Sequence, residues 1–257
     1  MTYSFNYMTE VIRNKWIKGE VMRKRRGIVI FLMLIIIVSV TLVALMYQKY
    51  RNIIRDKSIG DIIQELPVKK VNVPDESSKI DKNNNEISDP IDIVNEARKE
   101  VSNKTVYKDA YYTGGYPPEG EGVCTDVIWR GFSAVDISIK NLIDEDIKKN
   151  GKEYKRVSGK PDTNIDFRRV LNQDIFFKRY AESLTTELNK DDINNLKEWQ
   201  PGDIVVFIEG YEHIAIISDK RDNDGIPYVI HNSTPQASEV RLSWFNNPIH
   251  AHYRWKY

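Results

Sequence analysis

Ile204-Val-Val-Phe-Ile208, His213-Ile-Ala-Ile-Ile217 and Tyr228-Val-Ile-His231 are the stretches that decide the fold. Each is a short run of β-branched and aromatic residues, the composition of a strand. Glu209-Gly-Tyr-Glu212 separates the first pair, and Asp222-Asn-Asp-Gly225, a strong turn signal, separates the second. Connections this short join antiparallel neighbours. His250-Ala-His-Tyr-Arg254 reads as a last strand. Upstream the periodicity changes. Asp89-Pro90 is a good helix opening, and Ile93, Val94, Ala97 and Val101 form one apolar helical face. Val127, Ile128, Gly131 and Val135 predict a second amphipathic helix, and Ile139 to Ile147 a third. Helices first and an antiparallel sheet second make an α+β domain over residues 90–257, long enough for an independent core.

The first ninety residues are of another kind. Gly27 to Tyr47 is an uncharged run of 21 residues, with Ser39 and Thr41 its internal hydroxyls. At about 1.5 Å per residue it spans a hydrocarbon core of roughly 30 Å, and it exceeds the apolar region of a secretory signal peptide. The expectation is one transmembrane helix. Residues 1–26 carry seven Lys/Arg, ending in Arg23-Lys-Arg-Arg26, whereas residues 48–67 carry four. That bias places 1–26 in the cytoplasm and the C-terminal domain outside, in a single-pass cell-membrane protein. Residues 48–89, rich in Pro, Asn, Ser and charge towards their end, read as a polar tether.

Composition narrows the chemistry. A formal net charge of +1 and the absence of a basic, aromatic-interleaved patch give no case for nucleic acid. One cysteine, Cys124, forms neither an internal disulfide nor a four-cysteine metal site. His250 and His252 share one face of a strand, but two ligands without a third nearby do not make a metal site. No metal and no cofactor is expected.

Cys124 stands in Gly122-Val-Cys-Thr-Asp126, ahead of the second helix. A thiol at a helix N-terminus or beside a histidine has a lowered pKa, and the free N–H groups there stabilise an oxyanion. His213 opens a strand and is the candidate base. His231 ends the next strand and would orient it, with Asn232 as the substitute. Arg168 and Arg169 are candidate ligands of a substrate carboxylate, against internal pairing with Asp162 or Asp166. Asp126 is a helix cap or a partner of His213, the cap being the simpler role. The bland alternative for the cysteine is a small buried hydrophobe.

Tyr111-Tyr-Thr-Gly-Gly115, Cys124-Thr125, Trp199-Gln-Pro-Gly-Asp-Ile-Val-Val-Phe207, His213-Ile-Ala-Ile216 and Ile230-His231 resemble, in order and spacing, the NlpC-type papain-like cysteine peptidases of bacterial cell walls. Gly114-Gly-Tyr-Pro-Pro118, Asn164-Ile-Asp-Phe-Arg-Arg169 and His252-Tyr-Arg254 are similar to the bacterial family called domain of unknown function 1287. That family has been placed near the NlpC-type enzymes. The resemblance implies a papain-like fold, a Cys124–His213–His231 hydrolase and a Tyr111 that flanks the nucleophile and substrate. Val123 and Thr125 depart from the Asp-Cys-Ser usual in NlpC-type enzymes. Phe167 stands where His is expected, so that position supplies no acid–base group. The expected activity is cleavage of an amide bond in peptidoglycan peptides by a membrane-anchored thiol protease. The alternatives are a non-catalytic papain-like module that binds wall peptides, and a cysteine acyltransferase or thioesterase.

Overall fold

A computed structural model describes residues 33, 35–48, 70–157 and 159–257. Residues 35–48 are helical, and their apolar side chains, Ile36, Val43 and Met46 among them, are exposed. Among the described residues no helix is long and apolar enough to cross a membrane. The expected span 27–47 is only partly described, since residues 27–32 and 34 lie outside those residues, as do 1–26 and 49–69. The chain divides into compact units at Met1–Pro67 and Val68–Tyr257.

In the second unit, α1 (Asp89–Ser102) starts at Ser88 as N-cap, one residue earlier than expected, with Pro90 in its first turn. Two short strands follow, β1 (Val106–Tyr107) and β2 (Glu121–Gly122), then α2 (Cys124–Ser133) and α3 (Ile139–Asn150). After α4 (Val170–Tyr180), β3 (Glu182–Ser183) and α5 (Ile193–Lys197) come β4 (Ile204–Phe207), β5 (His213–Arg221), β6 (Pro227–Ser233), β7 (Gln236–Arg241) and β8 (Ala251–Arg254). The sheet order is β2-β1-β7-β6-β5-β4-β8-β3. All pairings are antiparallel except β1 with β2, so the sheet is mixed rather than purely antiparallel.

Ile204, Val206, Ile214, Ile216 and Ile230 pack with the helices in one core. Val205, Phe207, Ala215, Ile217 and Val229 pack with Trp199 and Leu242 in a second. Successive strand residues point to opposite faces, so a sheet buried on both sides needs the unbroken apolar runs seen in the sequence. Helix α2 lies tightly on the sheet at Gly131. A Cβ there would come within 2.9 Å of Ile216 and 3.2 Å of the Ile93 carbonyl oxygen. That approach seats the N-terminus of α2 against the start of β5.

The polar stretch before α1 is not the loose tether expected over its described part. Residues 70–88 form neither helix nor strand, yet they are fastened to the domain. Val71 donates to the Asn223 carbonyl (2.8 Å), Glu76 N–H donates to Gln200 (3.0 Å), and Gln200 donates to the Pro74 carbonyl (3.2 Å). With backbone groups satisfied by specific partners, a segment that buries little apolar surface still has a defined path.

Candidate functional site

Helix α2 begins at Cys124, with Val123 extended as N-cap. Valine has no side-chain acceptor, so Asp126 does the capping: its Oδ2 accepts the Val123 N–H at 2.7 Å. Asp126 also receives Trp129 Nε1 (2.8 Å) and a two-pronged donation from Arg168, Nε to Oδ1 and Nη2 to Oδ2, both 2.8 Å. The capping role expected of Asp126 is therefore the one observed, and His213 is not its partner.

Cys124 is buried, with 7% of its surface exposed, and its sulfur lies against the backbone N–H groups of Ile214 and Thr125. Tyr107 and Tyr211 flank it. Each phenol is held above its ordinary pKa, first by burial and then by its nearness to Cys124, whose ionised form repels a phenolate. His213, one residue before Ile214 in β5, is buried, and its ring packs against Phe207 (centroids 6.5 Å apart). Its Nε2 lies 2.9 Å from His231 Nδ1, and His231 Nε2 lies 3.0 Å from Ser238 Oγ. The structure records no hydrogen bond from Cys124 to His213 among the described residues. Phe245 stacks on His213 with centroids 5.6 Å apart.

The electrostatics correct one expectation. A helix N-terminus favours the thiolate, but burial outweighs it and pushes the Cys124 thiol up to about 12, with Asp126 adding to the rise. Burial lowers His213 to about 3, helped by the neighbouring His231, and lowers His231 to about 4. Near neutral pH the thiol and both imidazoles are uncharged. If His213 Nδ1 is to act as a base, its proton sits on Nε2 and is donated to His231 Nδ1. His231 then donates from Nε2 to Ser238, so one tautomer chain satisfies every contact.

Of the three expected ligands, one is committed to internal contacts and two remain exposed. Arg168 is a correction: it is buried, forked onto Asp126, bonded to the Ala110 carbonyl (2.7 Å) and laid over the Tyr112 ring, so it cannot meet a ligand. Its alternative partners Asp162 and Asp166 are likewise not the ones used. Tyr111 is exposed, and its hydroxyl donates to Asp162 (3.0 Å) and accepts from Asn164 (2.8 Å). Arg169 keeps an exposed face, with Nε 3.7 Å from Asp166. Asn232 donates to the Gly122 carbonyl (3.1 Å), which ties β6 to the start of α2 and leaves ring orientation to His231.

Sequence reasoning missed Tyr107, Tyr211, Ser238 and Phe245. Tyr211, two residues before His213, was within reach; Ser238 lies on β7, whose mixed polar sequence carries no clear strand signal. A cavity of about 370 Å³ opens beside His231, lined by Tyr211, Ser238, Trp244, Phe245 and Asn247. A larger one, about 730 Å³, lies at the end of α3 among Lys148, Lys149 and Lys152, away from this chemistry. Among the described residues no set of three or more His, Cys, Asp or Glu side chains is grouped to hold a metal.

Residues 94–255 match the family described as Domain of unknown function (DUF1287). The chain belongs to that family. The DUF1287 match runs from within α1 to the end of β8 and so contains Cys124, His213 and His231. A similar protein is the Uncharacterized protein YijF of Escherichia coli (strain K12), 36% identical over 171 residues that cover 63% of this chain and 80% of that relative. No solved structure matches the chain. The DUF1287 motifs have structural roles. Asp203 of Pro201-Gly-Asp203 accepts from Arg254 at both oxygens (2.8 and 2.7 Å) and contacts His252 Nε2 at 3.0 Å. His252 Nδ1 faces the Thr185 carbonyl at 2.9 Å, and Trp199 stacks on the ring at 4.0 Å. His252 is thus a buried structural group. His250 contacts Asp174 instead, at 3.4 Å.

Proposed function

We propose that this chain is a membrane-anchored, exported cysteine hydrolase with a papain-like, NlpC-type domain, cleaving an amide bond in peptidoglycan peptides. The carrying observation is the placement of Cys124 at the N-terminus of α2 against the His213 end of β5, with His213 hydrogen-bonded to His231. In the reaction, the Cys124 S–H proton passes to His213 Nδ1 as the sulfur adds to the amide carbon. The backbone N–H groups at the start of α2 receive the oxyanion. His213 then returns the proton to the departing amine, leaving a thioester, and water activated by the same ring releases the acid and the thiol. His231 keeps the His213 ring in the productive tautomer. The uncharged run at 27–47 and the charge bias around it support the anchor and its orientation.

The test is mass spectrometry of synthetic stem peptides incubated with the purified protein. Wild type is expected to yield a new amine and a new carboxylate, and Cys124→Ala to lower the rate by about 10²-fold or more. Cleavage undiminished in Cys124→Ala sinks the proposal. The burial of Cys124 and its raised pKa favour a second reading, a papain-like module that binds wall peptides without turnover. Equal affinity of wild type and Cys124→Ala for stem peptides, with neither cleaving them, would decide for it.

A further inference from the structure

The polar run Asp81-Lys-Asn-Asn-Asn-Glu-Ile-Ser-Asp-Pro-Ile-Asp92, just ahead of and into α1, plays no part in the chemistry above. Asp81, Asn83, Asn85, Asp89 and Asp92 stand at its first, third, fifth, ninth and twelfth positions. The Ile87 carbonyl takes the seventh. That is the ligand spacing of an EF-hand calcium loop. The chain folds so that these positions converge. Asp81 accepts the N–H groups of Asn85 (3.2 Å) and Glu86 (2.9 Å), and the amides of Asn83 and Asn85 both reach Asp92 Oδ2 (2.9 and 3.0 Å). Asn84 and Glu86 take left-handed backbone angles, φ 56° and 68°. Glu86 stands at the sixth position, where the EF-hand pattern has glycine for its sharp turn, and Asp92 replaces the usual glutamate.

Charge is the independent observation. Asp89 is fully buried; its Oδ1 accepts the Lys82 N–H of the same loop (2.9 Å), which turns the carboxylate back across the loop, and its Oδ2 has no hydrogen-bond partner. Asp92 is 8% exposed. Among the described residues no Lys, Arg or His forms an ion pair with Asp81, Asp89 or Asp92. Buried carboxylates are paired or bind metal, and two of them, Asp89 and Asp92, within one loop call for a cation. We propose that residues 81–92 form a calcium site. The grouping of acidic side chains alone does not make a site here; the two Asn amides and a backbone carbonyl complete it. An irregular set of side-chain and backbone oxygens suits calcium, whereas magnesium demands a smaller octahedron. Asn83 also donates to the Ala134 carbonyl at the end of α2 (3.4 Å). The bound ion therefore fastens the entry of α1 to the helix that carries Cys124.

The test uses the full chain in detergent, stripped with a chelator, then equilibrium dialysis against radioactive calcium and thermal unfolding. The expected result is one saturable calcium per chain, half-saturating on the order of 0.1–1 mM as in extracellular modules. Calcium raises Tm and equal magnesium does not. Asp81→Asn and Asp92→Asn each weaken binding about 10-fold or more, while their far-UV circular dichroism without calcium matches wild type. Absence of saturable binding up to about 10 mM, tenfold beyond that range, overturns the proposal. So does calcium binding of unchanged affinity in both variants, which places the ion elsewhere.

Discussion

At the residue scale, the Arg168–Asp126 and His213–His231 pairs have opposite electrostatic characters. Arg168 and Asp126 form a fully buried ion pair with side chains 1% and 0% exposed. Removing one partner strands the other charge, so Arg168→Met is expected to lower stability by about 3–5 kcal/mol in urea unfolding. The double variant Arg168→Met with Asp126→Leu should cost less than the sum of the two singles, because no buried charge is left behind. The histidine pair is buried and uncharged instead. Its folded pKa values, about 3 and about 4, lie below the unfolded value near 6.5. The unfolded chain therefore binds more protons in this interval. The contribution is fully present above pH 6.5 and is lost as pH falls towards 4 and below. Wild type should lose on the order of a few kcal/mol over that window. His231→Gln should show a flatter profile when denaturant midpoints are followed against pH; parallel profiles would refute this. For Cys124 the sign is reversed. Its raised value makes the native thiol alkylate more slowly at pH 8 than a free thiol with a pKa near 8.5, a contrast that iodoacetamide kinetics in native and urea-unfolded protein would measure.

At the element scale, close backbone approaches place the site. Gly131 lets α2 lie on Ile216 and α1, so Gly131→Ala is expected to destabilise by about 1–3 kcal/mol and to shift the Cys124 end of the helix away from β5. The check is thermal unfolding together with the rate of Cys124 alkylation, which should rise as the thiol is uncovered. Gly115 is stricter. It has φ 87°, and a Cβ would lie 2.7 Å from Phe167 and 3.2 Å from the Thr163 carbonyl. Phe167, found where the family resemblance leads one to expect His, is thus packing for the loop that precedes β2. The helices were legible because α1, α2 and α3 bury single apolar faces at helical spacing. Central strands β4, β5 and β6 were legible because both their faces are buried. Strand β7 was not, since Gln236-Ala-Ser-Glu-Val-Arg241 is polar and pairs through β6, with Glu239 held by Arg98, Ser218 and Lys220.

At the scale of the whole molecule, the sheet joins strands distant in sequence, β1 to β7 and β4 to β8, and the first of these pairings puts the strand of Tyr107 in one sheet with the strands of His213 and His231. The proposed anchor belongs to this scale too: protease added outside intact spheroplasts should remove the C-terminal domain, and full protection would reverse the proposed orientation. What the amino-acid order determined by itself was local or periodic. It specified the apolar strands, the helical faces, an α+β arrangement and the family motifs, and it singled out Cys124, His213 and His231 as candidates. These follow from side-chain spacing, which needs no knowledge of distant partners. Tertiary structure alone decided what those groups do with their protons and charges. It buried the thiol enough to raise its pKa despite the helix N-terminus, and it turned Arg168 inward onto Asp126. It also fixed the path of 70–88, which composition suggested was loose. Each outcome depends on which groups meet across the fold and on how much water they lose there, and neither is written in the spacing of residues along the chain.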